Sequence, residues 1–322
     1  MAVYTDVDND ALAAFLAEYN IGEVLSFKGI AEGVENSNFL LETTRGRFIL
    51  TLFEKRVAEA DLPFFIGLMD HLALGGLSCP TPIHARDGKA LRRLAGRPAV
   101  IVSFLTGVSP RKPNVAQCAS VGAALAGLHA AGAGFGIRRD NALSLAGWRR
   151  LVNDCAADAD KVRPGLAETI AGELAYLEAR WPRDLPRGVI HADLFTDNVF
   201  FVGDDVSGLI DFYFACNDFY AYDLAICLNA WCFEPDGAFN ATKAMALSRG
   251  YTGKRPLSRA EAAAMPLFCR GSALRFLLTR LYDWLNQVPG ALVRPKDPVE
   301  YLNKLRFHTG AQGPETYGIT ID

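Results

Sequence analysis

The stretch from Gly188 to Phe212 constrains this chain more than any other. It reads Gly188-Val189-Ile190-His191-Ala192-Asp193-Leu194-Phe195-Thr196-Asp197-Asn198, then Val199-Phe200-Phe201-Val202, a turn at Gly203-Asp204-Asp205, and Val206 to Ile210 ending in Asp211-Phe212. Two short aromatic and β-branched runs joined by Gly and Asp predict a tight antiparallel hairpin. A turn symmetric about Asp204 and Asp205 sets Asn198 directly opposite Asp211, with Cβ atoms about 5 Å apart. An amide oxygen and a carboxylate at the open end of a hairpin are hard donors suited to Mg²⁺, which keeps waters and substrate phosphates as its other ligands. Asp193, on the loop just before, is free to meet a substrate hydroxyl. Phosphoryl transfer needs these parts: a metal that neutralises charge on the phosphate oxygens, and an Asp that orients the hydroxyl and takes its proton. A lone H-x-D-x-x-x-x-N match is common by chance, and Asp or Asn near turns usually cap. The apolar lead-in, the hairpin and the spacing of the second Asp give the match its weight.

Elements alternate ahead of this stretch. Leu12, Phe15, Leu16 and Tyr19 fall at helical spacing behind Asp6, Asp8, Asn9 and Asp10, which predicts a short amphipathic helix. Residues 24–30, 37–43 and 47–53 read as strands, with Thr43-Thr44-Arg45-Gly46 turning between the last two. Asp61 is placed to cap a helix with Pro63 in its first turn and Phe65, Leu68, Met69 and Leu72 on one face, ending near Gly75-Gly76. Strands are expected around 83–94 and 98–104. Beyond Gly107 helical patterns dominate, beginning with a helix from Asn114 through Ala131. The prediction is an α+β chain of two lobes: residues 1–104, an antiparallel sheet with a helix, and residues 105–322, mainly helical with the hairpin embedded. The tail from Thr309 is expected to be loosely held.

The chain has 322 residues, 50% of them apolar, enough to bury a cleft between two lobes. A net charge of −3 gives no electrostatic footprint for nucleic acid or for an anionic membrane, so a small-molecule partner is expected. The seven cysteines (79, 118, 155, 216, 227, 232 and 269) are scattered without a C-x-x-C pair and read as core residues of a reducing compartment. No basic and apolar leader opens the chain, and runs such as Ala99 to Leu105 are too short to span a bilayer, so a cytoplasmic protein is expected, a monomer or small homo-oligomer.

On its catalytic stretch the chain resembles the aminoglycoside phosphotransferase and choline kinase superfamily, relatives of the protein kinases, over nearly its whole length. The resemblance implies a bilobal protein-kinase-like fold, ATP as donor, Asp193 as catalytic base, Asn198 and Asp211 as Mg²⁺ ligands, and His191 as structural support. Ala192 stands in place of the arginine that protein kinases use to sense activation-loop phosphate. Asp211-Phe212-Tyr213 lacks their glycine, and no A-P-E segment follows. A small-molecule kinase without a phosphorylation switch is implied. Gly29 to Asn38 looks like the phosphate-covering loop, with Gly33, Asn36, Ser37 and Asn38 as nucleotide contacts. The plainer alternative is an ordinary polar hairpin loop. Ser103 and Leu105 match the interlobe hinge, where backbone groups meet adenine. Thr51 occupies the strand position where relatives place a phosphate-binding Lys or Arg, and alternation does not select among the nearby Arg47, Lys55 and Arg56.

Further segments sharpen the resemblance: Leu50 to Lys55, Leu62-Pro63-Phe64-Phe65, Cys79-Pro80-Thr81-Pro82, His191 to Asn198, and Asp211 to Cys216. Together they resemble the bacterial homoserine kinases built on this fold, and Thr51 belongs to their pattern. The implied reaction is ATP-dependent phosphorylation of L-homoserine to O-phospho-L-homoserine in threonine biosynthesis. A zwitterion asks for a cation and an acid. Asp218 and Asp223 are candidates for the ammonium, with capping or loop support as equal alternatives. Arg275, amid Leu274, Phe276 and Leu277, is the candidate for the carboxylate, against a structural ion pair. Competing readings are a choline kinase with an aromatic cage drawn from Trp231, Phe233, Tyr282 and Trp284, an aminoglycoside or methylthioribose kinase, and a nucleotide-binding pseudokinase. The retained Asp193, Asn198 and Asp211 argue against the last.

Overall fold

Helix α1 (Asn9–Leu16) opens the fold, and its N-cap Asp8 accepts from the Ala11 N–H as the cluster of short acids predicts. The structure is a computed structural model that describes residues 5–30, 36–54, 57–287 and 295–320. Strands β1 (Val24–Gly29), β2 (Asn36–Thr43) and β3 (Gly46–Phe53) form a meander whose second turn is the two-residue Thr44–Arg45, with Thr43 paired to Gly46. Helix α2 (Leu62–Leu74) begins at Asp61, but the Asp61 side chain makes no cap bond, a correction to the expected capping role. The strand expected over 83–94 survives only as β4 (Arg92–Leu94), because Asp87-Gly88 turns the chain first, with Gly88 at φ 83° and Ala85 N–H bonded to the Lys89 carbonyl. Strand β5 (Arg97–Ser103) closes a wholly antiparallel sheet of order β1-β2-β3-β5-β4.

The pleat divides this sheet between two cores. Phe39, Leu41, Leu50, Leu52, Ala99 and Ile101 point toward α1 and pack with Leu12, Phe15 and Leu16. Phe53, Val100 and Val102 point the other way, into a core shared with α2 and with the helical part of the chain. Each fully buried Leu of this kind contributes roughly 1.5–3 kcal/mol. The five-stranded sheet is thereby joined to the rest of the molecule by continuous apolar packing as well as by the chain.

Helix α3 (Val115–Ala131) starts on a reciprocal capping box between Asn114 and Gln117. Helices α4 (Leu145–Cys155), α5 (Ala159–Val162) and α6 (Leu166–Arg180) follow. Strand β6 (Arg187–Ile190) leads into the catalytic stretch, the hairpin β7 (Val199–Val202) and β8 (Asp205–Leu209) comes next, and β9 (Cys216–Phe219) returns to pair with β6. Helices α7 (Tyr220–Trp231), α8 (Ala241–Thr252), the 27-residue α9 (Arg259–Leu285) and α10 (Pro298–Thr309) complete the fold. α3 and α8 cross closely because Gly122 and Gly250 have no Cβ: one added to either would lie 2.0 Å from a carbonyl of the other helix. The tail is not loose, as expected above, but packed. Tyr317 is fully buried, its hydroxyl bonded to His308 and its carbonyl accepting from Ser248.

Candidate active site

The catalytic hairpin pairs Val199 with Leu209 and Phe200 with Gly208. A bulge follows, and Phe201 pairs with Val206 and Val202 with Asp205 around a two-residue turn, Gly203–Asp204. Asp205 thus belongs to a strand rather than to the turn. At the open end the Ile210 N–H donates to the Asn198 carbonyl at 3.0 Å. Asn198 therefore faces Ile210, and the expectation that it stands opposite Asp211 is corrected by one residue. A one-residue slip sends a side chain to the other face of a regular ladder. Here the ladder has ended, and Asp211 adopts the left-handed conformation (φ 63°, ψ 65°), which re-aims it. Asp tolerates that region better than most residues.

The hairpin hangs from the segment that links the sheet to the helices. Val108 and Phe201 exchange both backbone bonds, Ser207 Oγ donates to the Thr106 carbonyl at 2.7 Å, and the Leu209 N–H donates to the Ser78 carbonyl at 3.0 Å. Gly107 is required at this contact, since its φ is 148° and a Cβ there would lie 2.4 Å from Ser207 Oγ.

Asp193 sits on a loop held from beneath by buried charge. Asp223 on α7 is fully buried; its Oδ2 accepts from the His191 N–H at 2.8 Å and its Oδ1 from the Ala192 N–H at 2.8 Å. His129 of α3 lies 3.0 Å from the same Oδ2 and 2.8 Å from the Tyr251 hydroxyl. Burial alone would raise the Asp223 pKa, but the His129 hydrogen bond and the loop N–H groups outweigh it and hold the carboxyl below its ordinary value. Burial pushes His129 and His191 down, so both rings stay neutral. His191 is placed as a structural residue, Nε2 at 2.9 Å from the Ile210 carbonyl and Nδ1 accepting from the Asp193 N–H at 3.3 Å. These bonds keep Ala192 at φ 63°, a conformation unfavourable for alanine. The nearly fully buried Arg275 of α9 donates to the Ala192 carbonyl.

Asn198 donates its side-chain N–H to the Asp193 carbonyl at 2.8 Å and to Asp193 Oδ2 at 3.3 Å, which leaves the amide oxygen as the end available to a cation. Burial raises the Asp193 pKa well above the usual carboxylate range; Arg275 opposes this, and the charges of Asp211 and Asp197 add to it. Asp193 and Asp211 are thus electrostatic neighbours. Lys296, 62% exposed, reaches the same loop, 3.9 Å from Asp197 and above the Phe195 ring. Nothing in the sequence around Lys296 marked it, because its approach to the loop is a long-range contact.

Three expected substrate contacts are revised. Both oxygens of Asp223 bind the loop, and Arg275 supports it from below. Asp218 accepts from Asn141 Nδ2 at 2.8 Å and from the Phe219 N–H at 2.8 Å and is 3% exposed. All three are engaged by protein groups.

On the nucleotide side, Gly33, Lys55 and Arg56 lie outside the described residues. Asn36, Ser37 and Asn38 are not loop residues but the start of β2, paired with Phe53, Leu52 and Thr51. Asn36 Oδ1 accepts from the Glu54 N–H at 3.3 Å, and Ser37 Oγ donates to Glu54 Oε1 at 2.8 Å, so these side chains tie β2 to the end of β3 rather than project as nucleotide contacts. Thr51 Oγ1 donates to Asn38 Oδ1 at 2.8 Å. At the hinge the Ser103 N–H is bonded to the Thr81 carbonyl at 2.9 Å, so the donor of this residue is already engaged. Leu105 follows in the linker, its side chain against Gly208, where an added Cβ would be 2.7 Å away. Arg47 stacks over Phe104 at 4.4 Å, at the hinge end of β3 and four residues from Thr51.

A small antiparallel sheet lobe, a helical lobe and an Asp-bearing loop ahead of a hairpin define a protein-kinase-like phosphotransferase. Residues 26–257 match the phosphotransferase enzyme family, and the chain belongs to that family. Within it, the chain is 65% identical over 318 residues to a homoserine kinase of Methylobacterium nodulans, covering 99% of both chains. It is also 65% identical over 320 residues to a homoserine kinase of Bradyrhizobium diazoefficiens, covering 99% of this chain and 98% of that one. Among solved structures it resembles an amicoumacin kinase (TM-score 0.66, 16% identity, 94% of this chain and 92% of that one). A choline kinase of Cryptosporidium parvum is similarly related in fold (TM-score 0.65, 16% identity, 94% of each chain).

Proposed function

We propose that this enzyme transfers the γ-phosphoryl group of ATP to the hydroxyl of L-homoserine, giving O-phospho-L-homoserine and ADP, a step of threonine biosynthesis. The full-length likeness to homoserine kinases carries the substrate, and the Asp193 loop carries the chemistry. In this reading residues 1–104 receive the nucleotide and residues 105–322 supply the catalytic groups and the acceptor site. Asp193 accepts the hydroxyl proton as that oxygen bonds the γ-phosphorus and the bond from phosphorus to the ADP oxygen breaks. The burial that raises its proton affinity suits a group that must hold this proton, and Asn198 fixes the carboxylate against rotation.

The Asn198 amide oxygen and the Asp211 carboxylate fit Mg²⁺ as hard donors. Asn198 and Asp211 would hold the ion, with phosphate oxygens and waters as its other ligands, as is usual for Mg²⁺. When bound, the ion neutralises charge on the transferring phosphoryl group. Lys296, exposed beside the loop, is the cation we assign to the homoserine carboxylate in place of Arg275. Among the described residues no helix is long and apolar enough to cross a membrane; in this reading the enzyme is cytoplasmic, a monomer or small homo-oligomer whose partner is a small molecule. The test is coupled ADP release with homoserine, choline, methylthioribose and an aminoglycoside as acceptors. Homoserine is expected to give the highest kcat/KM, and a clear preference for another acceptor refutes the substrate assignment.

A further inference from the structure

Among the described residues no ion pair joins α2 to β3. Position 51 of β3 is a threonine, and the single acid within α2, Asp70, faces outward to His84 at 3.0 Å. A different charged contact holds this helix. Arg139, in the segment between α3 and α4, donates from Nε to Asp61 Oδ2 at 2.8 Å, at the N-terminus of α2. The same guanidinium donates from NH1 to the Ala215 carbonyl at 3.1 Å and stacks on Phe65 of α2, 5.0 Å from its centroid. Ala215 closes the turn that begins at Asp211. Arg139 is itself fixed, because its backbone exchanges bonds with Asn217: the Asn217 N–H donates to the Arg139 carbonyl at 2.7 Å, and the Arg139 N–H to Asn217 Oδ1 at 2.9 Å. Tyr213, in the middle of the same turn, meets Phe65 edge-on at 5.7 Å and Phe53 of β3 at 5.3 Å.

We propose that Arg139 is a positioning residue for phosphoryl transfer: its fork clamps the start of α2 to the 211–216 turn, so the nucleotide-side lobe is held in register with Asp211 from the helical lobe. A planar guanidinium is suited to this, since it engages a carboxylate, a carbonyl and an aromatic face at once, which an ammonium does not. Asp61 explains itself on the same terms: it stands at the helix start yet makes no cap bond, because its carboxylate faces Arg139. The clamp acts through Asp211 and touches no substrate.

The test uses Arg139→Gln, Arg139→Lys, Asp61→Asn and the Gln/Asn double variant, each with a melting curve, kcat, both KM values and a titration of Mg²⁺ with the non-hydrolysable analogue AMP-PNP. The expected result is a loss of about tenfold in kcat or in Mg²⁺-dependent AMP-PNP affinity for Arg139→Gln and for Asp61→Asn, within the ordinary range of coupling between sites. Arg139→Lys is expected to recover only part of it, the KM for the acceptor to stay within twofold, and the double variant to be no worse than the worse single variant. Folded variants whose melting falls while kcat and nucleotide affinity stay within twofold would make the contact merely structural and overturn the proposal, as would additive effects in the double variant. If Arg139→Gln does not fold, Asp61→Asn and Arg139→Lys decide by the same criteria. Nucleotide binding is indifferent to the acceptor, so failure here is separable from failure of the homoserine assignment.

Discussion

The floor of the catalytic loop and the end of the sheet where β2 meets β3 solve the same problem with different chemistry. Both must fix backbone to within hydrogen-bonding tolerance next to a substrate. Under the loop the means is charge: Asp223 and Arg275 are each about 99% buried or more and bind the backbone on the two sides of Ala192, with His129 completing the Asp223 shell. At the end of the sheet most of the bonds are neutral, between Asn36 and the Glu54 N–H and between Thr51 and Asn38, and one charged group, Glu54, takes the Ser37 hydroxyl and pairs with Arg97 at 3.2 Å. A buried carboxylate with both oxygens bonded, as in Asp223, tolerates no partial loss. Neutral pairs yield at lower cost.

This contrast breaks most visibly at Asp223. Asp223→Ala leaves two loop N–H groups and His129 without their acceptor, and about 3–5 kcal/mol of stability is expected to go, measured by chemical denaturation. A loss below about 1 kcal/mol would remove the distinction between the two regions. Acid sharpens it next. His129, His191 and His308 are buried with pKa values pushed down by desolvation, His308 to about 3. Unfolded histidines take up protons below about pH 6.5, and these three do so less readily while native, so stability falls as pH drops below that value. Each contributes a slope of at most about 1.4 kcal/mol per pH unit, to be read from denaturant midpoints across that range. His84, on the nucleotide side, is mostly exposed and raised by the Gly88 carbonyl and Asp70, so its small term has the opposite sign. The smallest effect is expected at the neutral edge: Thr51→Val removes the bond to Asn38 at similar volume and costs about 1 kcal/mol by the same denaturation. A cost near that of Asp223→Ala would show that the sheet edge is as rigidly built as the loop.

What the sequence disclosed follows the range of the interactions involved. Caps and turns are local, so α1 behind Asp8, α3 behind Asn114 and the turn at Thr44-Arg45 were all readable. The spacing of Asp193, Asn198 and Asp211 was readable because the hairpin between them is local as well. The register was not, since the bulge between Phe200 and Phe201 answers to the linker that pins Phe201 through Val108. Arg275 stood out in the sequence as a charge amid apolar residues, and Asp223 and Asp218 as acids that could bind substrate or support a loop, but not their partners, which lie 83, 31 and 77 residues away. The missing cap at Asp61 has the same cause, with Arg139 78 residues on.

The central claim is that Asp193, held by this charged floor, takes the proton of the acceptor hydroxyl. Single-turnover mixing of Asp193→Asn with ATP, Mg²⁺ and homoserine tests it most directly. The account predicts a phosphoryl-transfer rate lowered about 10²–10⁴-fold, with AMP-PNP affinity within a few-fold of the parent. Transfer at the parent rate would contradict it.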